Sequence, residues 1–282
     1  MKSQKVTIYI AAFNAEKTIL SCINSILNQS TKFDEILIID DKSNDNTVKI
    51  VENFKNIKLL KNSHNKGLSY CRNLAFKNCK NNIVASIDSD VVLENNWLEV
   101  MLGLIDKDDK ALYGGKMIEK FTQNKFNSWR AKYYSQNWGP VDVNNPPFIF
   151  GCNSIQKKDI WNEVKGYDES LLTNGEDIDY SNKVKSIKQF KLFYSSNAKC
   201  HHLQQDNLSS LSNRIWRYHS YGYKLKKISL LRFTKLCIKQ VKFFFSRTIN
   251  DLFNFRFNYI YINFWVLIKF IKLEYRNYLN NK

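Results

Sequence analysis

The stretch Ile83-Val84-Ala85-Ser86-Ile87-Asp88-Ser89-Asp90-Val91-Val92 constrains this chain more than any other. Apolar and small residues run straight into two carboxylates. A run of that kind is a short buried strand. Acids at its carboxyl end put charge where an open α/β sheet meets solvent, the edge at which such sheets bind ligands. In extended backbone, side chains alternate, so Asp88 and Asp90 are expected on one side. Two oxygen donors on one side suit a hard divalent cation that also holds a diphosphate. The alternative is a polar turn after a strand, with Asp88 capping the next element.

The preceding residues repeat the pattern. Val6 to Ala11 reads as a strand, Glu16 to Asn28 as a helix with Asn14 as its cap, and Glu35 to Ile39 as a second strand ending in Asp40-Asp41. A helix through Val48, Val51 and Phe54 comes next, then a strand Ile57 to Leu60 and a helix Tyr70 to Asn78. This β-α-β-α-β-α-β order predicts a mostly parallel, Rossmann-like sheet flanked by helices. Further on, Ala111 to Ile118 and Phe148 to Ile155 look extended, residues 119–147 look irregular, and Gly175 to Asp179 opens a helix over Tyr180 to Ile187, with Glu176-Asp177 at its N-terminus. Phe190 to Ala198 reads as a last strand, ending near His201-His202.

Charge divides the chain unevenly. Its net charge is +17, yet from Arg214 onward 15 Lys and Arg face only 2 acids. The basic character belongs to the end of the chain and points to an anionic partner there. The expected division is a main domain over 1–213, with an α/β half (1–95) and a second half (96–213), and a basic aromatic helical extension over 214–282. The 6 cysteines are scattered without a Cys-x-x-Cys, as expected for free thiols in a reducing compartment. Met1 to Lys5 lead directly into the first strand without a secretory leader, and a cytoplasmic catalytic part is expected.

Taken singly, the polar motifs stay open. Asp41 either accepts from a nucleobase or ribose, or caps the next helix. Arg72 either pairs with phosphate or Asp41, or lies on the surface. Glu176 and Asp177 either complement a helix dipole or supply a general base. His201 and His202 are structural, or one of them joins Asp90 as a metal ligand.

In order, however, these pieces resemble the family 2 glycosyltransferases, inverting enzymes with a GT-A fold, from about Lys5 to about Gly222. Ala11-Ala12-Phe13-Asn14-Ala15-Glu16 is similar to the family's first nucleotide loop. Ile38 to Thr47 is similar to its Val-Asp-Asp-Gly-Ser-x-Asp-x-Thr segment, with Lys42 in place of Gly. Asn65-Lys66-Gly67 with Arg72-Asn73 resembles its Asn-x-Gly…Ala-Arg-Asn block, with Cys71 in place of Ala. Ile87-Asp88-Ser89-Asp90 resembles its Leu-Asp-x-Asp metal motif. Gly166-Tyr167-Asp168-Glu169 and Glu176-Asp177-Ile178-Asp179 resemble its Gly-Phe-Asp-Glu…Glu-Asp-x-Asp pair.

The resemblance implies roles. A nucleotide-sugar donor would lie along Ala11, Phe13, Asn14, Glu16, Asp41, Lys66, Arg72, Asp88 and Ser89, with Asp41 at the base and Asp88 at the ribose or at water held by the metal. Asp90 and His202, favoured over His201 by strand alternation, would hold Mn2+ or Mg2+. Asp177 would be the base, and Gly151, Asn153 and Glu176 would border a glycan or lipid-linked acceptor hydroxyl. This implies a metal-dependent, hexosyltransferase-type enzyme.

At the end of the chain, Leu230, Phe233, Cys237, Val241 and Phe244 recur at helical spacing, with Arg232, Lys235, Lys239 and Lys242 on the other side. Such a helix suits an anionic membrane surface, and residues 225–282 are expected to hold the protein peripherally at the inner face of the plasma membrane. Tyr259 to Leu273 is short of a spanning segment. The alternative is packing on the catalytic domain or on a second subunit, as in a homo-oligomer. Two rival functions remain. A nucleotidyltransferase would show a Gly-rich basic phosphate loop after the first strand, which Ala11 to Glu16 does not supply. A nucleic-acid-binding protein would spread its charge over the fold, whereas here the acids line the expected site.

Overall fold

The computed structural model of the protein describes residues 4–220 and 229–280. Gly222, at the end of the family resemblance, and residues 225–228 of the expected membrane segment lie outside the described residues. The elements are β1 (Val6–Ala12), α1 (Ile19–Leu27), β2 (Glu35–Asp40), α2 (Thr47–Glu52), β3 (Ile57–Lys61), α3 (Leu68–Asn78), β4 (Ile83–Asp88), β5 (Val91–Leu93), α4 (Trp97–Ile105), β6 (Ala111–Glu119), α5 (Lys125–Tyr133), β7 (Val143–Asn144), β8 (Asn153–Lys157), α6 (Lys158–Glu163), α7 (Glu176–Ser186), β9 (Lys191–His202), α8 (Leu208–Ser220), α9 (Leu230–Phe253) and α10 (Phe257–Asn280).

One sheet runs in the order β3-β2-β1-β4-β8-β6-β9-β5, with β7 also on β9. The four strands at the β3 end are mutually parallel. β8 runs antiparallel to β4 and β6, while β6 and β9 are parallel. The alternation in the early strands explains why both faces are covered. Ile8, Ile10, Ile38, Ala85 and Ile87 enter one apolar cluster, which also takes Ile19, Cys22, Ile23 and Ile26 of α1. Tyr9, Leu37, Ile39 and Val84 enter a second, with Ala75 and Phe76 of α3. Each fully buried Ile contributes about 1.5–3 kcal/mol relative to exposure.

The chain packs as two compact units, Met1–Lys120 with Gln136–Leu203, and Phe121–Ser135 with Gln204–Lys282. The second is helical. Its core is Trp129, Leu211, Ile215, Ile262 and Val266. The indole N–H of Trp129 donates to Asn263 Oδ1 at 2.8 Å. The Arg247 guanidinium lies 5.2 Å from the Trp129 ring and 4.9 Å from the Tyr134 ring. All six cysteines are free, and five of them are buried. Among the described residues no helix is long and apolar enough to cross a membrane.

Several local expectations change. Asp88 ends β4, and Ser89 and Asp90 form the turn into β5, so the extended reading of Asp-x-Asp fails there. Asn14 does not cap α1, because Thr18 holds the N-cap position; Asn14 sits at φ +50. Residues 119–147 contain α5 and β7, and the extended stretch from Phe148 becomes a strand only at Asn153.

Candidate active site

The two loops after β1 and β2 are tied together. Asn14 Oδ1 accepts from the Asn44 N–H at 2.8 Å, and the Asn14 N–H donates to Ser43 Oγ at 3.0 Å. Asp45 Oδ2 accepts from the Glu16 N–H at 3.0 Å, and Glu16 Oε2 accepts from the Asn46 N–H at 3.1 Å. The ring of Phe13 is left 47% exposed above this frame, available for stacking. Lys42 takes φ +67, the left-handed region that favours glycine, at the position where the resembled family carries Gly.

Asp41 anchors the third loop. It accepts from Asn62 Nδ2, the Lys66 N–H and the Gly67 N–H, each at 2.8 Å. The Cys71 thiol also hydrogen-bonds to this carboxylate. Lys66 Nζ turns to the Tyr70 hydroxyl at 3.0 Å. Arg72 does not turn to Asp41. It is 2% exposed, and its Nη2 lies 3.3 Å from Asp88 Oδ1 and 3.5 Å from Glu176 Oε1. Its Nη1 donates to the Gly151 carbonyl at 2.7 Å, which also accepts from Ser86 Oγ at 2.8 Å. A Cβ at residue 151 would fall 2.0 Å from Arg72 Nη1, so only glycine fits there. One buried guanidinium thus joins the end of β4, the 151 loop and the start of α7.

The residues expected beside the acceptor are all buried: Gly151, Asn153 and Glu176. Asn153 opens β8 and is used up in packing, accepting from the Trp97 indole N–H at 2.7 Å and donating to Cys200 Sγ at 3.0 Å. Asp177 itself is half-buried and accepts from the Ile178 N–H at 2.8 Å and from the Gly151 N–H at 3.5 Å. Burial holds the Asp177 carboxyl above its ordinary range, with Arg72 opposing. Burial, followed by Asp177, pushes Glu176 up to about 7. Asp88 is raised to about 6, first by burial and then, with Arg72 opposing, by the charge of Asp90.

Asp90 meets His202 on the other side of the turn. Asp90 Oδ2 lies 3.2 Å from His202 Nε2, and Glu119 Oε1 lies 3.0 Å from His202 Nδ1. The register explains this: His202 is opposite Val91 on β5 and Glu119 on β6. A register shift between Gly115 and Lys116 brings His202 into line, and β-bulges re-aim side chains in this way. A Cβ on Gly115 would lie 2.2 Å from the Ala198 carbonyl, so the bulge also needs its glycine. Burial lowers the His202 pKa, but Asp90 and Glu119 outweigh it and raise it to about 9. His201 points instead to Glu94, at 3.2 Å. Glu119 is absent from the residues expected at the site. Its signal, an extended run ending in an acid, is the one that marks Asp40 and Asp88, but here the run is broken by Gly114, Gly115 and Lys116.

The Asp90–His202 pair fits a divalent cation. An oxygen and a nitrogen donor converge, a carboxylate backs the far ring nitrogen as in metal-ligating histidines, and the charge of Asp90 bears on Asp88. Among the described residues no group of three His, Cys, Asp or Glu converges as a closed metal cage.

Comparison with known proteins gives a consistent picture. UDP-Glc:alpha-D-GlcNAc-diphosphoundecaprenol beta-1,3-glucosyltransferase WfgD of Escherichia coli is 35% identical over 141 residues, which are 44% of this chain and 56% of that protein. Chondroitin synthase of Escherichia coli is 28% identical over 194 residues, 66% of this chain and 27% of the relative. The chain therefore spans about a quarter to about half of these relatives' lengths. Among solved structures, Staphylococcus aureus TarS 1-349 aligns with TM-score 0.56 at 16% identity, covering 99% of this chain and 92% of that one. GalNAc-T7 with UDP, GalNAc and Mn2+ aligns with TM-score 0.59 at 16% identity, covering 75% of this chain and 48% of that one. These likenesses show the fold, a GT-A arrangement with a helical C-terminal region. The profile of the family described as Glycosyl transferase family 2 matches residues 7–164, and the chain belongs to that family.

Proposed function

We propose that the protein is an inverting, hexosyltransferase-type enzyme of cell-surface polysaccharide or glycolipid synthesis, moving a sugar from a nucleotide-sugar donor to a hydroxyl of a glycan or lipid-linked acceptor. The observation that carries this reading is the Arg72 junction. It sets the carboxylate pair at the start of α7 within one guanidinium of Asp88, at the sheet edge. Donor and acceptor chemistry are thereby brought side by side. The relatives named for diphosphoundecaprenol-linked and chondroitin chemistry support the acceptor class.

In this reading Phe13 stacks on the base and Asp41 lies at the base's polar edge. Ala11, paired in register with Asp88, and Ser89 leave room for the ribose. Asp90 and His202 hold Mn2+ or Mg2+, which when bound acts as a Lewis acid on the departing diphosphate. Glu119 fixes the His202 ring so that Nε2 faces Asp90, where the pair would hold the cation. Asp177 takes the proton of the acceptor hydroxyl as that oxygen attacks the anomeric carbon from the face opposite the leaving group. A carboxylate held above its ordinary range is the better base near neutral pH, and such help contributes about 10²–10⁴ in rate. Gly151, whose N–H reaches Asp177, and Glu176 position that carboxylate on the acceptor side, and Asn153 holds the start of β8 behind the 151 loop.

The second unit is read as the part that faces the inner surface of the plasma membrane, where a lipid-linked acceptor resides. The reaction is tested with Asp177→Asn. Transfer should be lost while calorimetric binding of the donor with Mn2+ stays within a few-fold; near-normal turnover would remove Asp177 from the role.

A further inference from the structure

We infer that the turn between α9 and α10 is a membrane wedge, whose Leu252, Phe253, Phe255 and Phe257 enter the headgroup boundary of an anionic bilayer. This rests on the membrane-facing reading of the second unit and names the part that makes the contact.

The turn exposes its apolar side chains. Leu252 is 48% exposed, Phe253 81%, Phe255 80% and Phe257 62%. Its backbone is nonetheless closed. The Phe255 N–H donates to the Leu252 carbonyl at 3.1 Å, and the Arg256 N–H to the Asp251 carbonyl at 2.8 Å. Phe255 is held at φ +54, where a bulky side chain is strained and glycine or asparagine would not be. Fold stability alone would not place three exposed phenylalanines, one of them strained, on such a turn.

The charge of the same unit names the partner. Its three carboxylates, Asp206, Asp251 and Glu274, are all buried. Each is consumed inside: Asp206 by Arg130, Asp251 by the Tyr133 hydroxyl and Asn263, and Glu274 by Trp216 and Ser220. Among the described residues of the unit, every exposed charge is therefore positive. Lys235, Lys239, Lys242, Arg256, Lys272 and Arg276 are all exposed. Arg256 lies within the turn itself, and apolar tips beside a cation on an otherwise cationic unit are what an anionic bilayer surface selects. A second copy would bring the same positive charges face to face, and nothing exposed among the described residues of this unit would neutralise them.

The insertion is shallow. Beside the turn, Lys132 of α5 lies 3.7 Å from Asp251, and Lys125 lies 5.8 Å from the Tyr261 ring. Those ammonium groups stay at headgroup level, so only the turn itself enters.

The test uses the full chain and vesicles of phosphatidylcholine, alone or mixed with phosphatidylglycerol. Wild-type protein should sediment with the mixed vesicles and much less with the neutral ones. The triple variant Phe253→Ser/Phe255→Ser/Phe257→Ser should bind the mixed vesicles roughly tenfold or more weakly. Its melting temperature and donor turnover should not change, since these side chains support no core. Equal binding by the triple variant would overturn the wedge while leaving membrane binding by the unit intact. No vesicle binding by wild type would overturn both. Equal binding to neutral vesicles would overturn the choice of an anionic surface. A wild-type dimer in light scattering that the triple variant dissolves, without vesicle binding, would assign the turn to self-association and overturn the wedge. Asp177→Asn should bind vesicles like wild type, which separates a failure here from a failure of the catalytic reading.

Discussion

The two units of this protein use carboxylates in opposite ways. In the first, Asp88, Asp90 and Asp177 stand at the ends of strands and at a helix start, only half-buried. Arg72 and His202 offset only part of their charge, and burial holds Asp88 and Asp177 above their ordinary range; in the proposed reaction such groups hold a cation and take a proton. In the second, every carboxylate is buried against a donor, and the surface is left to Lys and Arg. An acid that is open and crowded by like charge serves chemistry. An acid that is enclosed and paired serves the fold, and its burial decides which charge the outside shows.

Substitutions in the two units should therefore fail differently. The largest effect is expected for Asp177→Asn, about 10²–10⁴ in transfer rate with little change in melting temperature. Asp206→Ala should do the reverse. Arg130, only 1% exposed, would lose the carboxylate 2.5 Å from its Nη1, at a cost of about 3–5 kcal/mol in urea unfolding. A donor-binding defect without a stability loss in Asp206→Ala would break the contrast. Glu119→Gln sharpens it from within the first unit: loss of the carboxylate behind His202 should weaken Mn2+ binding about 10–100-fold in titrations of the protein alone.

Glu176 gives a pH test. Its folded pKa is raised from 4.5 to about 7, by burial first and then by Asp177. The folded chain thus holds the proton more tightly than the unfolded chain. Its contribution to stability is greatest below that window and declines as pH rises through it. Glu176→Gln should flatten the fall of melting temperature between about pH 5 and 7; an unchanged profile would place the titration elsewhere. The smallest effect is expected at Lys42. Replacing it with glycine should relieve its φ of +67 and stabilise the protein by about 1 kcal/mol.

The same contrast explains which parts of the molecule are legible in the sequence. The strands of the first 95 residues announce themselves because Ile8, Leu37 and Ile87 belong to runs buried on both faces, and acids mark their solvent ends. Strand alternation pairs Asp90 with His202 rather than His201, and the structure brings those two together. Direction is what the sequence leaves hidden. Asn153 and Glu176 carry polar side chains yet point inward, because Trp97, Cys200 and Arg72 complete them. In α9 the apolar spacing of Phe233, Cys237 and Phe244 is visible, but these side chains are only half-buried. The buried positions include two polar residues, Gln240 and Asp251, the latter accepting from the Tyr133 hydroxyl and Asn263 Nδ2, and a second apolar line, with Ile238 57% and Phe245 57% exposed, faces outward. Hydrophobic periodicity misreads a helix whose inner face is partly polar. The grouping of Phe121–Ser135 with the C-terminal helices carries no local signal at all, since it depends on contacts between residues as distant in sequence as Trp129 and Asn263.

The most direct measurement is release of nucleoside diphosphate by the purified protein with Mn2+ and a panel of UDP-, GDP-, dTDP- and CMP-sugars. The predicted result is release, or in its absence Mn2+-dependent binding of one nucleotide, that is abolished in Asp90→Ala. No release from any donor together with no binding of any nucleotide would contradict the glycosyltransferase reading of this site.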